Sequence, residues 1–408
     1  MKGALRSYKD FATGRANDLW GEDAELSRQR TTDRRKGASF LAGNDDLRFP
    51  APVLEKFAAE VFARVGVDPE DARLVANHLV TANLRGVDSH GMSRLGGYIK
   101  RLEMGLVNKR NEMRVLRETP VSVYLDAGNA MGHPAAYRAT LMAVEKARTT
   151  GMAVAGVRNS NHCGVLAYYT EVAAREDMIG WATTNASPNM APWGGREAYL
   201  GTNPLSVAVP AGEEPAVILD MATSQVAKGK VMLAAQKGEP IPETWAMTAL
   251  GEPTTDARAA LDGLLLPLGG PKGYCLSAIV DIMSGILTGA AFGPHIGDLV
   301  RDFTRPQDVG YFFAAIRADL FVPLEEFKTR MDQMIREIKG APRLKGVERI
   351  YLPGEIESEK VRDRSREGIP VSRELVEELR VLGARYGVAL EETGSGPSAE
   401  GPRPRGSH

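Results

Sequence analysis

Cysteine is nearly missing from this chain: Cys163 and Cys275 are the only two in 408 residues. A disulfide framework and a paired C-x-x-C zinc site are therefore excluded, and both thiols read as structural. A charge excess is missing too, with 51 basic against 52 acidic residues, so the electrostatic footprint of a nucleic-acid binder is absent. The longest apolar stretch, 278–292, is broken by Asp281, Gly285 and Gly289 and is too short to span a bilayer. Residues 1–14 carry basic side chains but no apolar signal-peptide core, and a reducing cytoplasm is the expected setting. The dinucleotide fingerprint G-x-G-x-x-G does not occur, nor do a P-loop, H-E-x-x-H or G-x-S-x-G. These absences count against a conventional Rossmann dehydrogenase, a zinc hydrolase and an α/β-hydrolase. No metal is expected.

What is present is a chain 43% hydrophobic and long enough for two or three lobes. Residues 1–46 are polar, mixed in charge and weakly periodic, and read as an extension outside the core. Residues 393–408 are rich in Gly, Pro and Ser and read as a disordered tail. Between them the pattern is α/β. Helical periodicity covers 52–65 and 69–85, followed by a short helix at 98–104. Strands are expected at 121–126, 153–157, 179–183, 205–209, 217–220 and 310–316. Helices are expected at 135–149, 165–176, 274–287 and 324–339. This pattern divides the core into a helical lobe at 47–118, a central sheet-rich lobe at 119–310, and a segment at 311–392 that returns to the first lobe. The helical lobe is thus built from both ends of the core.

Five clusters can carry chemistry. Ser89, His90 and Arg94 fall within six residues: a planar guanidinium suits a carboxylate, and an imidazole exchanges protons near neutrality. Asp-Ser-His-Gly is also a good turn. The run 159–164, with Ser160 and His162, follows a strand and precedes a helix. Open α/β sheets place ligands there, though a plain helix cap has the same composition. Polar Gly/Pro-rich turns at 184–188, 192–195 and 201–204 bring Asn185, Ser187, Thr202 and Asn203, and turns alone would explain them equally. Asp220, Met221, Ala222, Thr223 and Ser224 end a strand, where an acid meets a ribose or caps a helix. Gly269, Gly270, Lys272 and Gly273 open an apolar helix and suit an anion, or form an ordinary loop with a solvated lysine. His78, in a helix, reads as a packed or surface histidine, and His133 and His295, beside prolines in loops, read as structural.

Taken together these segments resemble the malate/L-lactate/ureidoglycolate dehydrogenase family, which includes sulfolactate dehydrogenases, diketogulonate reductase and piperideine-2-carboxylate reductase. The resemblance runs from about residue 48 to 390 and rests on the ordered segments 85–91, 159–162, 192–195, 201–204, 220–224, 253–256, 270–274 and 351–355. It implies an α/β (α+β) fold that binds NAD or NADP without Rossmann rules, in a homodimer with the site near the subunit contact. It implies a cofactor site containing Ser160, Asn185, Ser187, Asp220, Met221, Ala222, Thr223, Ser224, Lys272, Gly273, Pro353, Gly354 and Glu355. Ser89, Arg94, Tyr98, Thr202 and Asn203 would meet a small carboxylate substrate, and His90 or His162 would exchange the proton. The expected reaction is hydride transfer at C2 of a 2-hydroxy or 2-oxo acid. The alternatives are reduction of a cyclic imino acid, for which NADPH is favoured, and a catalytically silent binding protein on the same fold. Cys163 stands where the family commonly has an aromatic residue, and Cys275 where it commonly has a small one.

Overall fold

The computed structural model describes residues 46–391; the expected extension (all but residue 46) and the tail at 393–408 lie outside the described residues. The first layer is helical. Strand β1 (Leu47–Phe49) leads into α1 (Ala51–Val65), which starts at a Pro-containing first turn and stops at Gly66. Helix α2 (Pro69–Leu84) begins where Asp68 accepts the Glu70 amide at 2.9 Å. Two single 3-10 turns, 88–90 and 92–94, then lead into α3 (Leu95–Glu103).

The central layer begins with β2 (Arg114–Thr119) and β3 (Ser122–Asp126). It continues through α4 (Gly132–Thr150), β4 (Met152–Ser160), α5 (Ala167–Ala174) and β5 (Met178–Thr184). Strands β6 (Leu205–Val209) and β7 (Val217–Met221) follow. A smaller unit holds α6 (Lys228–Lys237), β8 (Ala246–Met247), α7 (Ala257–Asp262) and β9 (Leu264–Leu265). Helix α8 (Pro271–Asp281) runs into a π turn at 282–286, so the expected apolar helix starts three residues early and is not α-helical to its end. Strand β10 (Val309–Arg317), α9 (Leu324–Gly340), α10 (Glu355–Glu367), β11 (Ile369–Val371) and α11 (Arg373–Tyr386) complete the order.

The main sheet has seven strands in the order β2-β3-β4-β10-β5-β6-β7. Only β3 and β4 are parallel; every other pairing is antiparallel. The sequence division at 310/311 cuts through β10, which lies in the middle of this sheet. The chain leaves the sheet only after Arg317. A hydrophobic strand buried on both faces and inserted between two others is a local pattern that carries no record of its neighbours.

Among the described residues the apolar side chains form three large cores and one small cluster of Ala167, Ala174, Ala208 and Ile218. Phe57, Phe62, Leu79, Leu95, Leu102, Val376 and Leu379 join α1, α2, α3 and α11. Strand β1 pairs with β11, so both ends of the described chain close this layer. Leu125, Val157, Tyr169, Tyr311 and Phe313 pack the sheet beneath α4 and α5. Met190, Val231, Ile241, Ala246 and Leu265 fill the small unit. Among the described residues no helix is long and apolar enough to cross a membrane, and no group of three His, Cys, Asp or Glu is placed to hold a metal.

Candidate active site

The sheet registers collect the candidate segments. Asp126 faces Arg158, Val309 faces Ser160, Tyr311 faces Thr184, Leu205 faces Thr183, and Met221 faces Leu205. One edge of the sheet therefore carries the end of β4 with His162, the end of β5 with Asn185, the start of β6 with Asn203, and the end of β7 with Asp220. Alternating strand direction achieves this, with chain ends entering and leaving the same edge.

The helical layer supplies the other half. Tyr98 on α3 contacts His162 through its hydroxyl, 2.6 Å from Nδ1. The rings of His90 and His162 lie 5.4 Å apart, and Ser89 Oγ is 2.9 Å from His90 Nδ1. Two hydrogen-bonded pairs, Ser89–His90 and Tyr98–His162, thus meet through the contact of the two imidazole rings. Arg94 Nε donates to Ser89 O at 2.6 Å, which fixes the guanidinium beside His90. Loss of hydration is the main cause that lowers the His90 imidazole to about 4, with Arg94 pushing the same way. His162 is lowered well below its ordinary value, first by enclosure and then by His90 and Arg94. Both rings are neutral at pH 7. Burial pushes Tyr98 up, so it remains a phenol.

The turn bearing Ser89 and His90 is braced from two sides. Asn83 accepts the Met92 amide at 2.8 Å and donates to Asp88 at 2.6 Å. Arg364 on α10 pairs with both Asp88 oxygens, at 2.7 and 3.0 Å. His162 is held through its backbone N–H, which donates to Gln307 Oε1 at 3.0 Å. Arg101, wholly buried, donates to the carbonyls of Asp298, Asp302 and Arg305 at 3.1, 2.9 and 3.0 Å and pins that segment to α3. Sequence reading missed Asn83, Arg101, Gln307 and Arg364. Only Arg101 leaves a trace there, as a cation three residues after Tyr98 on a helix with Ile99 and Leu102.

Residues 49–380 match the family described as malate/L-lactate dehydrogenase. The chain is similar to a malate dehydrogenase of Pyrococcus abyssi, with 41% identity over 84% of this chain and 96% of the relative. The solved sulfolactate dehydrogenase of Methanocaldococcus jannaschii matches with TM-score 0.80 and 35% identity, over 84% of this chain and 98% of that one. The solved Δ1-piperideine-2-carboxylate reductase of Pseudomonas syringae matches with TM-score 0.75 and 29% identity, over 82% and 99%.

The chain belongs to the malate/L-lactate dehydrogenase family. It is an oxidoreductase of that family. The remaining malate/L-lactate dehydrogenase positions divide by exposure. Asp220, Met221, Ala222, Lys272, Pro353 and Glu355 keep accessible surface, whereas Ser160, Asn185, Asn203, Thr223 and Ser224 are buried. The buried polar groups are spent on the protein. Ser160 meets Tyr311 at 2.9 Å, and Asn203 donates to Ser277 O at 3.1 Å and accepts the Ala186 amide at 3.0 Å. Asn185 donates to Ala291 O at 2.8 Å and accepts from the Gly310 amide at 3.1 Å. The Thr202 carbonyl takes both the amide and hydroxyl of Thr223, at 2.9 and 3.0 Å, and Ser224 donates to Val226 O at 2.8 Å. Ser187 donates to Asp298 at 3.2 Å.

Asp220 keeps accessible surface at the end of β7, yet the protein around its carboxyl removes hydration. That desolvation pushes the carboxyl up to about 6 against the Ala167 amide and Arg85. It accepts the Ala167 amide at 2.7 Å, so the helix-capping alternative holds alongside any ligand role. Gly354 has φ 85°, and a side chain there would meet Ile218 O at 2.8 Å. The turn at 351–355 docks closely on β7, where Ile218 N donates to Pro353 O at 3.0 Å. Glu355 is engaged by Lys339 and Arg349, each at 2.7 Å. Lys272 and the buried Gly273 stand in the first turn of α8. An accessible carboxylate at a strand end and a lysine at a helix start are the donor set that a ribose and a phosphate need, so the residues fit a nicotinamide dinucleotide.

Proposed function

We propose that this chain interconverts a small 2-hydroxy acid and its 2-oxo acid with NAD or NADP, as a cytoplasmic homodimer. The observation that carries this reading is the convergence of Arg94, His90 and His162 from two layers of the fold. The bound cofactor supplies or accepts the hydride at C2. Arg94 orients the substrate: Nε is committed to Ser89 O, which leaves the terminal nitrogens as a fork for a carboxylate. His162 handles the proton on the C2 oxygen at Nε2. The Tyr98 hydroxyl can donate to Nδ1 or accept from it, so it supports Nε2 both with and without its hydrogen. A neutral ring takes the hydroxyl proton during oxidation. The imidazolium that forms is opposed by Arg94, and the substrate carboxylate relieves that repulsion. His90, with Ser89 behind it, is close enough to share the task.

Replacing His162 or His90 with Ala should lower kcat by roughly 10²- to 10⁴-fold while cofactor titration by NADH or NADPH fluorescence is preserved. Full turnover in both variants would remove the assignment. The piperideine-2-carboxylate reductase likeness supports a second reading, reduction of a cyclic imino acid. Assays of 2-oxo acids against cyclic imines, with each reduced cofactor, separate the two.

The dimer proposal has its own support. Ile279, Ile282, Ile286 and Leu287 form an exposed apolar stripe, each 46% or more accessible, along α8 and the π turn. Light scattering should give twice the chain mass, and Ile282→Glu should shift it toward one. A monomer in the unaltered protein would contradict the dimer without touching the chemistry.

A further inference from the structure

Helix α3 carries three residues in successive turns. Arg94 is its N-cap, Tyr98 lies in its middle, and Arg101 follows Tyr98 by three positions, on the same face. Tyr98 reaches the His162 ring directly. Arg101 reaches the His162 backbone by a longer route.

Arg101 is wholly buried, yet its three hydrogen bonds go to the main-chain carbonyls of Asp298, Asp302 and Arg305 and to no carboxylate among the described residues. The carboxylates of that loop are spent on the loop itself. Asp298 accepts the Val300 and Arg301 amides at 2.7 and 2.8 Å, and Asp302 accepts the Thr304 amide at 2.9 Å and Arg305 Nε at 3.1 Å. A guanidinium that binds three carbonyls at once fixes the path of the main chain. Lys100 adds a second hold from α3, 3.9 Å from the centre of the Phe303 ring. The loop is also closed at its neck, where the Gly297 amide donates to Gln307 O at 3.0 Å and a side chain at Gly297 would overlap Pro306 O. It ends in Gln307, itself buried, whose Oε1 accepts the His162 amide at 3.0 Å.

The backbone of His162 is therefore tied to the same helix that holds its ring and that starts at Arg94. A carboxylate on Arg94 and a proton at His162 belong to one small substrate, so the spacing of the two groups matters to the rate. A misplacement of about 1 Å can cost 10²-fold. We propose that Arg101 is a positioning residue for the proton step: through the loop 298–305 and Gln307 it holds His162 at its working distance from Arg94. This rests on the 2-hydroxy-acid reading above. Being wholly buried, Arg101 touches neither substrate nor cofactor, so its loss should appear in kcat and not in KM.

The test uses Arg101→Lys, which keeps the charge and loses the planar fork. With the best 2-oxo acid of a panel, kcat should fall roughly 10- to 100-fold, while KM for that acid and the affinity for NADH or NADPH stay within about twofold. Gln307→Leu should show the same split. The double variant should be no slower than the slower single one, because both changes break one link. A lowered melting temperature with unaltered kcat marks a purely structural role and overturns the proposal. KM losses as large as those in kcat, or losses that multiply in the double variant, overturn it as well. If Arg101→Lys does not fold, Gln307→Leu decides alone, and full turnover in that variant overturns it. These outcomes leave the dehydrogenase reading intact; an unaltered protein that turns over no 2-oxo acid removes that reading and this inference together.

Discussion

At the residue scale, what surrounds a side chain decides its chemistry. His78, His90, His133 and His162 form one connected group: His78 and His133 lie 4.7 Å apart, and Tyr98 links His133 at 5.3 Å to His162. His78 and His133 are wholly buried, and His78 bonds Val165 O at 3.1 Å. Gly164 permits this, since a side chain there would overlap the His78 ring. Of the two alternatives read for His78, packed or surface, the structure takes the packed one, and His133 is buried within α4 rather than in a loop, while His90 and His162 keep some accessible surface. The two thiols divide in the same way. Cys163 is buried and its thiol is pushed up to about 12, chiefly by desolvation, whereas Cys275 is exposed on α8. Cys163 should therefore resist an aromatic disulfide reagent in the native protein and react only after denaturation. Two fast-reacting thiols in the native protein would contradict this placement.

At the element scale, a few buried polar contacts set how the layers dock. Arg85, at the end of α2, pairs with Glu171 on α5, and both side chains are largely buried. Removing one partner leaves an unpaired buried charge, so Glu171→Gln should cost about 3 kcal/mol. Thermal and urea denaturation measure it; a cost below half that figure would mean the contact is relaxed in solution. Helix α10 acts similarly through Arg364, which ties the C-terminal part of the chain to the turn bearing His90. None of these pairings is written in a local pattern. Helices α1, α2 and α9 were legible because their apolar residues recur at helical spacing and Asp68 or Gly66 marks an end. Strand β2, exposed along nearly all its length, and the short β1 and β11 were not. Helix α10 has no buried residue, and so no stripe to read.

At the scale of the whole molecule, burying neutral histidines ties stability to pH. The His78 imidazole is lowered from its ordinary value to about 3, first by burial. A base depressed in the folded state contributes stability above its ordinary value near 6.5, and that stability is lost as pH falls toward 3. At pH 5 the loss should reach about 2 kcal/mol for one such ring. His133, also lowered, adds to it, and the raised carboxyl of Asp220 opposes it. Melting temperature should fall between pH 7 and pH 5, and His78→Gln with His133→Gln should flatten the slope. Equal melting of the unaltered protein at both pH values would contradict this.

The chain's residues determined by themselves that no G-x-G-x-x-G turn binds the cofactor, that guanidinium and imidazole groups are available in short polar runs, and where most helices and strands lie. These follow from spacing and side-chain chemistry, which act over a few residues. Only the tertiary structure decided which runs meet. Tyr98 reaches His162 across 64 positions, and Arg364 reaches Asp88 across 276. Contacts at such separation depend on strand order, on β10 entering the middle of the sheet, and on the return of α10 and α11 to the first layer. The entropy of bringing distant segments together is met by apolar burial spread over the cores, not by anything visible at the residues that meet.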